Sequence, residues 1–189
     1  MNKKNWFVYF LAIGLFIVSS CKDDVLPKPT SSLRLDYPEA TYKTFEDASC
    51  PFTFEVNSNG KVIQEKNCNL TIQYPKMKAT IYLTFQPINN NINLLLRDAQ
   101  TLTYKHVVKA DDIVEQPFIN KKDGVYGMYY AVNGNAATNA QFYLTDSTSY
   151  FVDCSVYFYA KPNFDSIMPA ASYLRNDLQN MMESFRWKK

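Results

Sequence analysis

From Leu33 onward the chain repeats one pattern, a short run rich in Tyr, Phe, Ile, Val and Thr followed by a cluster of turn-forming residues. Such runs form strands, with successive side chains on opposite faces. They fall at Leu33 to Tyr37, Phe52 to Val56, Leu70 to Tyr74 and Ala79 to Phe85. They resume at Ile113 to Ile119, Val125 to Val132, Ala140 to Thr145 and Phe151 to Ala160. Two stretches carry a helical period instead. The first starts near Asn91 or Asn93, either of which can cap it. Ile92, Leu95, Leu96, Ala99, Leu102 and His106 then share one stripe, while Arg97, Asp98, Thr101 and Lys105 face away. The second starts after Asp165 or Ser166, with Pro169 tolerated in its first turn. Ile167, Ala171, Leu174, Leu178, Met181 and Phe185 alternate steps of four and three along it. That seam is barely three heptads long, so it reads as a terminal helix docked on a sheet rather than a coiled coil. Asn133-Gly134 reads as a hairpin turn, because both residues tolerate positive φ. The order is four strands, helix, four strands, helix, which predicts an α+β domain. Its antiparallel sheet would have about seven or eight strands, accompanied by the two helices.

Before that domain stands an export signal. Lys3 and Lys4 precede Trp6 to Val18, an apolar stretch of 13 residues. A transmembrane helix needs roughly 20, so the stretch reads as the apolar core of a signal peptide. It ends in Val18-Ser19-Ser20-Cys21, which resembles the lipobox of bacterial lipoproteins, with Val18 where Leu is usual. In that reading residues 1–20 are removed, Cys21 becomes the acylated N-terminus, and residues 21–32 form a Pro- and Ser-containing tether. Residues 33–189 are then a single globular domain. Two or three acyl chains make the attachment stable, where one gives only marginal binding. The following Lys22-Asp23-Asp24 resembles the short acidic signal that leads some lipoproteins to the cell surface. The expected location is the cell envelope, on the outer membrane facing the periplasm, with surface exposure left open by that signal.

Charge separates along the same boundary. The chain has 20 basic and 18 acidic residues, and Lys3 and Lys4 account for the excess. The neutral remainder gives no electrostatic reason to expect nucleic acid.

Four cysteines less Cys21 leave Cys50, Cys68 and Cys154, in a compartment where disulfides persist. Cys50 and Cys68 border two candidate strands and lie 18 positions apart, with Asn57-Ser58-Asn59-Gly60 turning between them. A bridge there would contribute on the order of 3 kcal/mol on the entropic model. Cys154 lies inside an apolar strand and reads as a buried free thiol.

No constellation for catalysis stands out. A multi-histidine metal site is impossible with one histidine, no CxxC pair is present, and no Gly-rich phosphate loop occurs. His106 continues the apolar face of the first helix and reads as structural. Asp111, Asp112 and Glu115 would form part of a carboxylate site only if they converged, and an exposed acidic turn is the plainer reading. No catalytic residue, metal or cofactor is expected, and the chain reads as a non-enzyme. The surplus lies in the aromatics, 24 of whose 29 members fall beyond residue 20. In strands, some of the tyrosines must face outward, where their rigid amphipathic rings suit partner contact.

The doubled strand-and-helix order resembles the PsbP/Mog1-type fold. The sequence itself resembles the gliding-motility lipoprotein GldD family of Bacteroidetes. The likeness is carried by Pro27-Lys28-Pro29, Arg34-Leu35-Asp36-Tyr37-Pro38-Glu39 and Cys50-Pro51-Phe52-Thr53-Phe54-Glu55. It continues in Lys78 to Thr84, Leu96-Arg97-Asp98-Ala99-Gln100, Glu115 to Asn120 and Val125-Tyr126-Gly127-Met128. Gly134-Asn135-Ala136-Ala137, Gln141 to Ser147 and Tyr157 to Asn163 complete it. Ser31-Ser32 departs from the Gly and aromatic expected after Pro-x-Pro. The resemblance implies an envelope lipoprotein needed for gliding and linked to type IX secretion of surface adhesins, with no active site to carry over. Its partners would be other envelope proteins of that machinery, with the membrane held through the lipid anchor. The alternative is an envelope lipoprotein that presents a lipid, glycan or other small molecule. A hydrolase built on Asp111, Asp112, Glu115 or His106 is the third reading.

Overall fold

The structure, a computed structural model, describes residues 37–105, 110–134, 136, 138–159 and 164–188. Among these residues ten strands, all paired antiparallel, make two sheets, accompanied by two α-helices. Strands β1 (Tyr42–Glu46) and β2 (Phe52–Asn57) form the smaller sheet with β10 (Arg186–Trp187), in the order β1-β2-β10. The larger sheet runs β3-β4-β5-β9-β8-β7-β6. Its members are β3 (Lys61–Gln64), β4 (Leu70–Tyr74), β5 (Ala79–Pro87), β6 (Ala110–Asn120), β7 (Val125–Gly134), β8 (Thr138–Thr145) and β9 (Tyr150–Phe158). Helix α1 (Ile92–Tyr104) links β5 to β6, and α2 (Phe164–Ser184) follows β9. The fold is the expected α+β class.

The main core lies on one face of the large sheet. Ile72, Ile81, Leu83, Phe142, Leu144, Val152 and Cys154 point from it into a cluster with Phe52, Phe54 and Val56 of β2. The expected seam of α2 closes that cluster. Ile167, Ala171, Leu174, Leu178, Met181 and Phe185 are all buried. Phe52 and Phe54 stack on Phe185, which Trp187 meets edge to face where β10 joins β2, and Lys188 N donates to Pro51 O at 2.8 Å. The C-terminus therefore folds back beside the start of the domain. On the opposite sheet face α1 lays Leu95 and Ala99 against Tyr130, Tyr143 and Phe151. Strand β8 lies between the two helices and is buried at every residue.

Three strands escaped the sequence pattern. Strand β1 is mostly exposed, β3 has four residues and β10 has two, so none carries a clear apolar alternation. The expected strand at Leu33 to Tyr37 lies outside the described residues except for Tyr37, which is not in a strand. Asn133 and Gly134 are the last residues of β7 rather than a two-residue turn, although Gly134 does have φ +102°. The pairing that they signalled is present, since β7 and β8 are antiparallel neighbours. Gly127 permits this pairing, because an added Cβ would lie 1.9 Å from the Tyr143 carbonyl oxygen. Strand β6 is one outer edge of the large sheet and is exposed along most of its 11 residues. Pro117 sits in it opposite Met128, as an edge strand allows.

Cys50 and Cys68 are joined by a disulfide. Cys50 precedes β2 and Cys68 precedes β4, so the bridge ties one sheet to the other. Replacing both with Ser should lower unfolding free energy by about 2–4 kcal/mol. Denaturant melts of wild type and variant, without and with reductant, check this. Reductant should bring the wild type down to the variant.

Candidate functional site

Two of the acidic residues of the hydrolase reading are exposed and the third bonds to a tyrosine. Asp111 and Asp112 are exposed at an irregularity at the start of β6, opposite the end of β7. Glu115 accepts a hydrogen bond from the Tyr104 hydroxyl at the end of α1. His106 lies outside the described residues, as does Cys21. No group of three or more His, Cys, Asp or Glu that could hold a metal ion occurs among the described residues. Cys154 is a buried thiol in β9, and burial pushes its pKa well up.

A buried carboxylate that the sequence did not flag joins several elements. Asp177 in α2 is 1% exposed. It accepts from the hydroxyls of Tyr42 at 2.9 Å and Tyr74 at 3.0 Å, and from Asn57 Nδ2 at 2.9 Å to each oxygen. Asn57 Nδ2 also reaches the Tyr173 hydroxyl at 2.8 Å. Burial raises the Asp177 pKa against the opposing pull of these donors. Tyr42 and Tyr74 are themselves held above the ordinary tyrosine value, first by burial and then by the carboxylate. This network fastens β1, β2 and β4 to α2. It is an internal junction, with a groove of about 250 Å³ beside it lined by Pro38, Asn59, Tyr74, Pro75, Lys76 and Met77.

The other face of the large sheet is only partly open, since Thr71, Thr80 and Ser155 on it are buried while Tyr82 and Tyr159 are exposed. Helix α1 packs against residues of β7, β8 and β9 there. Alternation along the ladder brings Thr71 and Gln73 of β4, Thr80, Tyr82 and Thr84 of β5, and Asp153, Ser155 and Tyr157 of β9 to this face. Tyr82 and Tyr159 are 39% and 65% exposed. Their hydroxyls are 2.6 Å apart, and the rings of Tyr82 and Tyr157 meet edge to face at 5.8 Å. Hydrogen bonds with Thr80 and Tyr82 lower the Tyr159 pKa, and either hydroxyl of the tyrosine pair can donate. The Tyr159 amide donates to Lys78 O at 2.8 Å and fixes the backbone. Gln73, Pro75, Lys78, Ala79, Thr80 and Tyr159 line an open groove of about 400 Å³. The excess of tyrosine in the sequence therefore has a surface outlet, but nothing in the composition located it.

Beside these tyrosines two polar atoms are sealed from solvent. They are Asp153 Oδ1 and Ser155 Oγ, on neighbouring positions of one face of β9. Burial pushes the Asp153 carboxyl up to about 7, with Ser155 pulling the other way. A carboxyl raised in the folded state makes the unfolded chain release its proton first. Stability should therefore fall as pH rises from about 4 to about 7. Asp153→Asn removes this dependence. The variant should gain thermal stability over wild type at pH 8 and lose that advantage at pH 4, which melting curves at the two pH values would show.

No described helix is long and apolar enough to cross a membrane. Comparison with curated proteins gives no match. Among solved structures, the solution structure of cyanobacterial PsbP (CyanoP) from Synechocystis sp. PCC 6803 is similar with a TM-score of 0.48 and 8% sequence identity. That alignment covers 79% of this chain and 94% of the other. A family model described as gliding motility lipoprotein GldD matches residues 22–187, from the residue after Cys21 almost to the C-terminus. The chain belongs to the gliding motility lipoprotein GldD family.

Proposed function

We propose that this protein is a lipid-anchored, non-enzymatic accessory or scaffold component of the gliding machinery and of the type IX secretion that serves it. The observation that carries the reading is the family match over residues 22–187. A lipoprotein of that family is an envelope protein held at a membrane. In the finer reading the anchor is Cys21, acylated after removal of residues 1–20, and the domain works on the periplasmic side of the outer membrane. Its partners are other envelope proteins of the same apparatus, met through shape and aromatic contact rather than net charge.

The fold supports a holding role. A disulfide and a buried carboxylate network bind the small sheet to the rest of the domain, and an edge-to-face aromatic contact holds β10. These features favour a rigid body over one that opens and closes.

Deleting the gene should abolish colony spreading and strip the cell surface of its secreted adhesins. Cys21→Ala, expressed at native level, should impair both. Full spreading by that soluble form would sink the anchored account. Crosslinking the native protein in cells should recover envelope components of the secretion and motility apparatus, identified by mass spectrometry.

A further inference from the structure

We propose that the end of the domain where the described chain begins rests on the headgroups of an anionic lipid surface, as a second membrane contact beside the anchor. The proposal rests on the lipid-anchored reading, since only a tethered domain stays close enough to lipid for a small charged patch to orient it.

Strand pairing gathers this end from separate parts of the chain. Lys61 opens β3 opposite Gln73, near the close of β4, and Tyr74 pairs with Ala79 at the start of β5. The turn Pro75–Met77 between β4 and β5 carries Lys76, and Lys78 follows it. Ala79 pairs in turn with Phe158, which brings Tyr159 to the same level. The Tyr159 amide donates to Lys78 O at 2.8 Å. The described chain starts here too, with Pro38 lining a groove beside Asn59, Pro75 and Lys76. Sixteen positions separate Cys21 from Tyr37, a reach of about 55 Å at most.

Charge is what commits this end to lipid. Lys61, Lys76 and Lys78 are exposed, and none pairs with a carboxylate among the described residues. Neither of the two grooves beside them is lined by an acid. The acid that stands against them is Glu39, exposed next to Pro38. Asp111 and Asp112 reach the same end on β6, but β6 lies four strands from β5, roughly 19 Å at 4.8 Å per strand. That is over twice the screening length of about 8 Å at physiological salt. At the other end of the strands basic and acidic residues are interspersed. Arg186 pairs with Asp123 at 2.9 Å and Lys188 with Glu46 at 3.6 Å, while Lys66 follows Glu65.

The kind of charge matters as well. Flexible lysine stems offer point charges rather than the rigid fork that docks one carboxylate or phosphate in fixed geometry. They suit a fluid layer of anionic headgroups, whose attraction sums over the lysines near it. Tyr159, 65% exposed, adds a ring of the type that settles at headgroup level. In this orientation the strands stand along the membrane normal, and β10 points away from the lipid.

The test couples the chain from Cys21 onward, which holds every described residue, to vesicles bearing a maleimide lipid. Cys50 and Cys68 are bonded and Cys154 is buried, so Cys21 is the thiol that reacts. Anchoring then does not depend on acylation in the cell, which the intact mass of the protein from native membranes reports by itself. Lysine acetylation by a membrane-impermeant ester is followed by mass spectrometry, on phosphatidylcholine vesicles with and without phosphatidylglycerol. Phosphatidylglycerol should slow Lys61, Lys76 and Lys78 about threefold or more, by covering them and by raising the local proton concentration. Lys66 and Lys121, at the other end of the strands, should change less than about 1.5-fold, and about 1 M salt should abolish the difference. In Lys61→Gln/Lys76→Gln the protection of Lys78 should vanish, whereas Lys61→Arg/Lys76→Arg should keep it. Both variants should melt as wild type does, because the positions are exposed. Equal rates with and without phosphatidylglycerol overturn the proposal and leave these lysines to an acidic protein partner. Equal protection of Lys66 and Lys121 overturns it too, as does protection of Lys78 that survives the double Gln variant.

Discussion

Strand β8 has no solvent face, and the rest of the architecture answers that constraint. All eight of its residues are buried, so both sides of the sheet must be covered where it runs. On one side Ala140, Phe142 and Leu144 meet the core shared with α2 and the small sheet. Complete burial of a Leu or Phe side chain is worth about 1.5–3 kcal/mol, so the inward row of α2 contributes several such terms. On the other side Gln141 and Tyr143 would be stranded without α1. Tyr143 packs in the cluster under Leu95 and Ala99. Gln141 Nε2 donates to the Ala99 carbonyl at 3.2 Å and to the Thr103 hydroxyl. A polar residue inside the sheet thus sets where along β8 the helix can lie.

The small sheet is attached on different terms. An interior carboxylate without a cation is expensive unless every lone pair is engaged. Asp177 meets that condition through Asn57, Tyr42 and Tyr74, which come from three strands in two sheets. Because removing any of these donors leaves the carboxylate under-satisfied, the network favours one arrangement of strands and helix over near alternatives. Arg175, two residues beyond the junction's Tyr173 in α2, does the same at the β7–β8 pair. Its guanidinium donates to the carbonyls of Val132 and Asn139 and to Asn133 Oδ1.

The sequence made the α+β class, both helices and most core strands legible because each follows from periodicity. The stripe of α1 and the seam of α2 were visible as spacings, and burial follows them at Leu95, Ala99, Leu174 and Leu178. What stayed hidden was long-range and polar. Asp177 lies on the helix that carries the apolar seam, and nothing local distinguishes it from a solvated acid; its partners are 103 to 135 residues away in sequence. Two sheets instead of one were hidden as well, since β2 and β3 flank a tight turn yet pair with different neighbours. The tyrosine surface was readable as a surplus but not as a place, because only the position of α1 determines which half of the sheet face is left open.

Edge strand β6 takes on a further meaning at a membrane surface. Anchored lipoproteins diffuse in two dimensions, where neighbours meet far more often, and in more similar orientations, than in free solution. An exposed strand edge would then risk zipping one copy to the next. Here the edge carries Asp111, Asp112 and Glu115, with no basic residue within the strand, and Pro117 interrupts its row of donors. Two such edges brought together would set acid against acid and lack a hydrogen bond at the proline. At a crowded lipid surface the composition of this strand would therefore oppose edge-to-edge pairing of copies.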